Sequence, residues 1–121
     1  MSDNNKIKAG ERGKAMLNLN IQERIEQIKK MLIEKGNIRK IILFGSCAKE
    51  DLEPNDIDLF VVKESNLDMY QRILEIQDIV PHNFPLDIIV YTPEEFEKNK
   101  NNKWSFLYGV MKEGKVIYES R

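Results

Sequence analysis

Apolar residues follow two patterns along the chain: short runs almost without interruption, and residues that recur at helical spacing. The alternation of these patterns predicts strands separated by helices. β-branched and apolar residues run almost without interruption over Ile38–Phe44, 57–62 and Leu86–Tyr91. Runs of this length, bounded by glycine, proline or polar residues, are typical of buried strands. A shorter run over residues 115–118 predicts a last strand at the edge of the sheet.

The segment before the first strand predicts one amphipathic helix. Asn20 and Glu23 form a capping pattern, and apolar residues recur behind them at helical spacing until Gly36. Residues 1–19 contain few apolar side chains, so we expect a flexible N-terminal arm there. One folded domain is expected over residues 20–121, because a chain of this length supports a single modest core.

Helical patterns also follow the second and third predicted strands. Asp68 can cap a helix that Pro81 stops, and its apolar face is expected to include Tyr70, Ile73, Leu74 and Ile76. Thr92 opens a third helix, with proline and glutamate completing the start signal. A fourth helix is predicted from residues expected to pack in the core: Trp104, Leu107, Tyr108 and Met111. The alternation of helices and strands predicts an α/β fold.

The candidate chemistry lies between the first two strands. Gly45 ends the first strand at a sharp turn, and Ser46 can cap a short helix behind it. The free backbone N–H groups at such a helix start can receive phosphate. Asp56 and Asp58 open the second strand, and residues two apart on a strand share a face. Neighbouring carboxylates repel unless a cation lies between them, and Mg²⁺ is the expected cation beside phosphates.

A third carboxylate, Asp87, lies within the otherwise apolar third strand. An unpaired buried carboxylate is costly, so Asp87 is expected to face a cleft or bind a ligand. The alternative is an ordinary polar residue near the start of a strand. If the second and third strands are neighbours, Asp87 comes beside Asp56 and Asp58.

This arrangement resembles the DNA polymerase beta-like nucleotidyltransferase superfamily, and within it the minimal nucleotidyltransferases. Members carry a Gly-Ser turn after a strand, an Asp-x-Asp pair on the next strand and a third carboxylate on a later one. Gly45-Ser46, Asp56-Ile57-Asp58 and Asp87 stand at those positions. The resemblance covers most of the chain. It implies a polymerase beta-like nucleotidyltransferase fold, in which a small mixed β-sheet is flanked by helices.

The resemblance also implies a role for each motif residue. The carboxylates are implied as catalytic residues and as ligands of two Mg²⁺ ions: Asp56, Asp58 and Asp87. Three residues are implied to bind the triphosphate of ATP: Gly45, Ser46 and Lys49. The implied reaction is Mg²⁺-dependent transfer of AMP from ATP to a hydroxyl of a partner protein. That partner would be a HEPN-type toxin, and this chain the antitoxin of a toxin–antitoxin pair.

A function of another class stays open, namely a catalytically weak or inactive antitoxin that neutralises its partner by occlusion. Relatives often carry Arg-Ala-Arg-Gly after the Gly-Ser turn, whereas this chain has Cys47 and Glu50 at the first and last of those positions. These departures favour occlusion a little. The three retained carboxylates favour the enzyme, because drift would be free to remove buried acids that cost stability.

Composition narrows the choice of partners. With a net charge of −1 and 32% charged residues, the surface is mixed, and we do not expect nucleic acid as a partner. One cysteine excludes an internal disulfide, and no long apolar span or signal peptide is present. A cytoplasmic protein without membrane contact is therefore expected. The sequence leaves homo- and hetero-oligomers equally open.

Overall fold

A computed structural model describes residues 9–45, 57–80 and 86–120, with side chains described from residue 21. Four strands lie within these ranges: β1 (Ile38–Phe44), β2 (Ile57–Lys63), β3 (Leu86–Tyr91) and β4 (Lys115–Glu119). They form one sheet in the order β3-β2-β1-β4. β1 runs antiparallel to β2 and β4, whereas β2 and β3 are parallel. The predicted α/β fold with a small mixed sheet is confirmed.

Helices cover both faces of this sheet. The described ranges contain α1 (Ala9–Lys35), α2 (Met69–Ile79), α3 (Pro93–Asn99) and α4 (Phe106–Glu113). Buried residues of α1 and α2 belong to one hydrophobic cluster, and those of α3 and α4 belong to a second. None of the helices in the described ranges is long and apolar enough to cross a membrane.

Strand β2 separates the two clusters and is buried on both sides. Leu59 and Val61 pack in the α1/α2 cluster, whereas Phe60 and Val62 pack in the α3/α4 cluster. Successive side chains of a strand point to opposite faces. Asp58, which precedes Leu59, therefore lies on the α3/α4 face of the sheet.

The first helix begins earlier than the sequence pattern predicted. α1 starts at Ala9, so Asn20 lies inside the helix and is not its cap. A capping pattern is a local signal, and the residues before Asn20 include good helix formers such as alanine, leucine, methionine and lysine. The division into an arm over residues 1–19 and a domain over residues 20–121 stays a prediction.

Two further predictions about packing were wrong for some of their residues. Tyr70 and Leu74 are exposed on α2, whereas Ile76 is buried and Ile73 partly buried in the α1/α2 cluster, as predicted. Arg72 is buried on the same helix. Arg72 can occupy a core-facing position because its guanidinium is paired, which the sequence pattern alone does not show. Trp104 is 94% exposed rather than part of the core, because α4 begins two residues after it. Met111, also predicted to pack in the core, is 39% exposed, whereas Leu107 is buried as predicted.

Candidate active site

Asp58 and Asp87 are direct neighbours across the parallel strands. Each is the second residue of its strand, and their Cα atoms are register partners between β2 and β3. Such partners share a face, and neighbouring strands lie about 4.8 Å apart. Both carboxylates therefore lie on the α3/α4 face, at the same end of the sheet. Asp87 is exposed on the edge strand, and Asp58 is half-buried beside it.

The backbone of Gly45 contacts the carboxylate of Asp58. Gly45 has a φ of +73°, in the left-handed region that favours glycine. A Cβ built at this position would collide with Oδ2 of Asp58. Glycine is therefore required for its conformation and also for the space it leaves. A group bound at this turn would lie directly beside Asp58.

Phe44, Asp58 and Asp87 form a row across three strands, which we call the carboxylate row. Phe44 ends β1 and is the register partner of Asp58, as Asp58 is of Asp87. The row begins at the turn of Gly45 and ends at the edge strand β3. A molecule that spans the row would contact both the turn and the two acids.

The donor chemistry of the row fits a divalent cation. Paired carboxylates offer the hard oxygen ligands that Mg²⁺ prefers. The described ranges contain no group of three histidine, cysteine, aspartate or glutamate side chains that could hold a metal. Asp56, the third predicted ligand, lies outside these ranges, as do the predicted phosphate contacts Ser46 and Lys49.

An aromatic pair borders the row, and the sequence analysis did not predict it. The ring of Phe44 meets that of Phe106, the first residue of α4, in a T-shaped contact with centroids 5.7 Å apart. Phe106 nevertheless remains 53% exposed. In the sequence, the one sign that Phe44 borders the site is its position immediately before Gly45. Nothing in the spacing linked that residue to Phe106.

A partly buried ion pair fixes α3 against α2 and β3. The guanidinium of Arg72 donates to both carboxylate oxygens of Glu95, at 2.8 and 3.2 Å. It also donates to the carbonyl oxygens of Leu67 and Val90. Glu95 completes the capping box with Thr92 at the start of α3, so the predicted capping box is confirmed.

This ion pair also changes the pKa of the Glu95 carboxyl group. The hydrogen bond from Arg72 lowers the pKa of Glu95 below its ordinary value, against the opposing effect of burial. Bonds within the Thr92 capping box lower it further. The charged carboxylate is thus the form that holds α3 in place on the face of the sheet that carries the carboxylate row.

Comparisons with known proteins bear on this arrangement. Residues 26–121 match the family described as polymerase beta, nucleotidyltransferase. A Methanocaldococcus jannaschii protein named "Putative protein adenylyltransferase" is 39% identical over 85 residues, which cover 69% of this chain and 82% of that protein. The fold is similar to the crystal structure of "a putative nucleotidyltransferase from Sulfolobus solfataricus", with a TM-score of 0.52 and 18% identity. That similarity covers 93% of this chain and 88% of the other, and it concerns the fold alone.

Proposed function

Because the chain belongs to the polymerase beta nucleotidyltransferase family, we propose that it transfers AMP from ATP to a hydroxyl group of a partner protein. Membership of this family makes it a nucleotidyltransferase and confirms the family predicted from the Gly-Ser and Asp-x-Asp motifs. The observation that carries the proposal is the pairing of Asp58 with Asp87, in contact with the turn at Gly45. The name of the M. jannaschii relative supports AMP as the group transferred and a protein as the acceptor.

The proposed step joins the acceptor oxygen to the α-phosphorus of ATP. The bond from that phosphorus to the oxygen of the β-phosphate breaks, and pyrophosphate leaves with the electron pair. A carboxylate oxygen of Asp87 takes the hydroxyl proton, because Asp87 is the exposed acid on the edge strand. Gly45, at the opposite end of the row, would bind the departing phosphates, together with the predicted phosphate contacts Ser46 and Lys49.

Mg²⁺ is the proposed cofactor, with two ions expected. Asp58 and Asp87, together with Asp56, would hold the ions, and bound Mg²⁺ would offset the negative charge of the phosphates. The proposed partner is a HEPN-type toxin that is silenced by AMP on a hydroxyl side chain, in the cytoplasm. The formation of a homo- or hetero-oligomer stays a prediction.

Intact mass spectrometry of a reaction mixture tests this function. The purified chain, ATP, Mg²⁺ and a purified HEPN-type ribonuclease should yield one or more AMP units on the ribonuclease. Asp87→Asn should abolish the added mass, since it removes the proton acceptor and a metal ligand. Asp78→Asn is the matched control, because Asp78 is an exposed acid on α2, over the opposite face of the sheet.

The alternative is neutralisation by occlusion, which the departures at Cys47 and Glu50 favour. In that case the Asp87→Asn variant should inhibit the ribonuclease to the same extent as the unaltered chain. No added mass would appear on the ribonuclease with either protein. This pair of results would replace the proposed transferase with a binding protein.

A further inference from the structure

The first turn of α4 stands beside the carboxylate row. Phe106 opens α4 and packs against Phe44, and Phe44 is the register partner of Asp58. Phe106 lies on the same face of the sheet as both acids, because α4 belongs to the cluster that covers that face. The ring is therefore at the β1 end of the row, opposite Asp87 on the edge strand β3.

Phe106 is exposed although its own helix is well packed. Leu107 and Val110 are the residues by which α4 joins the core, at 0% and 4% exposure, whereas Phe106 is 53% exposed. Single exposed apolar side chains are ordinary on protein surfaces. Phe106 differs because its ring is held by the ring of Phe44 at the border of the predicted reaction site.

We propose that Phe106, supported by Phe44, is the subsite that stacks on the nucleobase of the bound nucleotide. This inference rests on the proposed function. If the triphosphate lies along the turn of Gly45, the nucleoside must leave the row on one side. The acceptor needs the open β3 edge beside Asp87, and α4 packs against β1 at the other end of the row. An exposed ring at that end offers the planar surface on which a base stacks.

Stacking on a phenylalanine ring does not select one base, because every base has a π-face. The subsite therefore takes the nucleobase as a class and contributes affinity rather than a choice of ATP over GTP. The inference also assigns the contribution of the base to binding and that of the triphosphate to different residues. Phe106 should matter for nucleotides and should not matter for a phosphate chain that lacks a base.

The test compares ATP with inorganic tripolyphosphate, both with Mg²⁺, by calorimetric titration. Phe106→Leu should weaken ATP binding by about 5-fold or more and leave the tripolyphosphate affinity unchanged. Phe106→Tyr should restore the ATP affinity, since it keeps the ring. Tyr70→Ala is the control, because it removes an exposed aromatic residue of α2, over the opposite face of the sheet. Thermal melts of each variant verify that it is folded.

The outcomes separate this inference from the proposed function. An ATP affinity in Phe106→Leu equal to that of the unaltered chain would overturn the base subsite while leaving the transferase in place. Equal losses for ATP and tripolyphosphate would overturn it as well, by showing that the substitution disturbs the phosphate site. Failure of the unaltered chain to bind either compound would overturn the proposed function itself.

Discussion

Gly45 is the residue where backbone conformation and site geometry depend on each other most directly. Any side chain at this position would be strained by the left-handed φ of +73° and would also collide with the carboxylate of Asp58. We expect Gly45→Ala to lower the free energy of unfolding by about 2 kcal/mol or more, since the strain of that conformation alone costs about 1–2 kcal/mol. Urea unfolding followed by circular dichroism measures the change.

Gly109 gives this prediction a matched control of opposite sign. It lies within α4, and a Cβ at this position would meet no atom within 4 Å. Gly109→Ala should therefore raise the free energy of unfolding by about 0.5–1 kcal/mol, because glycine is a poor helix former. If the two substitutions changed stability by the same amount, the special geometry at Gly45 would lose its support.

Among the elements, α3 depends on a titratable contact. Arg72 holds the pKa of Glu95 below its ordinary value of 4.5, so the unfolded chain binds the proton more readily. The stabilisation is therefore complete above about pH 5 and is lost as the pH falls through the folded-state pKa. We expect Glu95→Gln to cost about 1 kcal/mol at neutral pH, a modest value because 39% of the Glu95 side chain is exposed.

Urea unfolding at a series of pH values measures this effect. The stability difference between the unaltered chain and Glu95→Gln should shrink as the solution is acidified. Glu97→Gln is the control, because Glu97 forms an exposed pair with Lys100 in the same helix turn. Its effect should stay below about 0.5 kcal/mol. A difference for Glu95→Gln that does not change with pH would exclude the ion pair as the source of the stabilisation.

How far the sequence predicts the molecule differs between element types. β1 and β3 have the predicted bounds, because uninterrupted apolar runs between breaking residues identify buried strands well. The exposure of Trp104 and Phe106 was not predictable, because helical spacing does not show where a helix begins or which side chains its neighbours cover. Arg72 was missed because its pairing partner is distant in sequence.

The candidate site was predictable only with help from the family resemblance. Periodicity places Asp58 and Asp87 on strands but does not say that β2 and β3 are adjacent and parallel. The motif suggested that they meet, and the register shows that they do. The roles proposed for Ser46, Lys49 and Asp56 stay predictions, since these residues lie outside the described ranges.

For the molecule as a whole, the register of the sheet couples cation binding to global stability. Folding brings two negative charges together on β2 and β3, and the unfolded chain does not. A cation that binds the folded state alone stabilises it by RT ln(1 + [L]/Kd), about 2.7 kcal/mol at 100 times Kd. We therefore expect Mg²⁺ to raise the Tm of the unaltered chain by several degrees above its value in EDTA, at constant ionic strength.

Asp87→Asn distinguishes this coupling from a general salt effect. Without the second charge, the variant should melt at the same temperature as the unaltered chain in EDTA or slightly higher, because the repulsion with Asp58 is removed. Its response to Mg²⁺ should be smaller, because one metal ligand is lost. Asp78→Asn, on α2, should respond as the unaltered chain does. Thermal melts by circular dichroism measure the change of Tm that Mg²⁺ causes in each protein. An equal change in Asp87→Asn and in the unaltered chain would mean that the ion binds elsewhere.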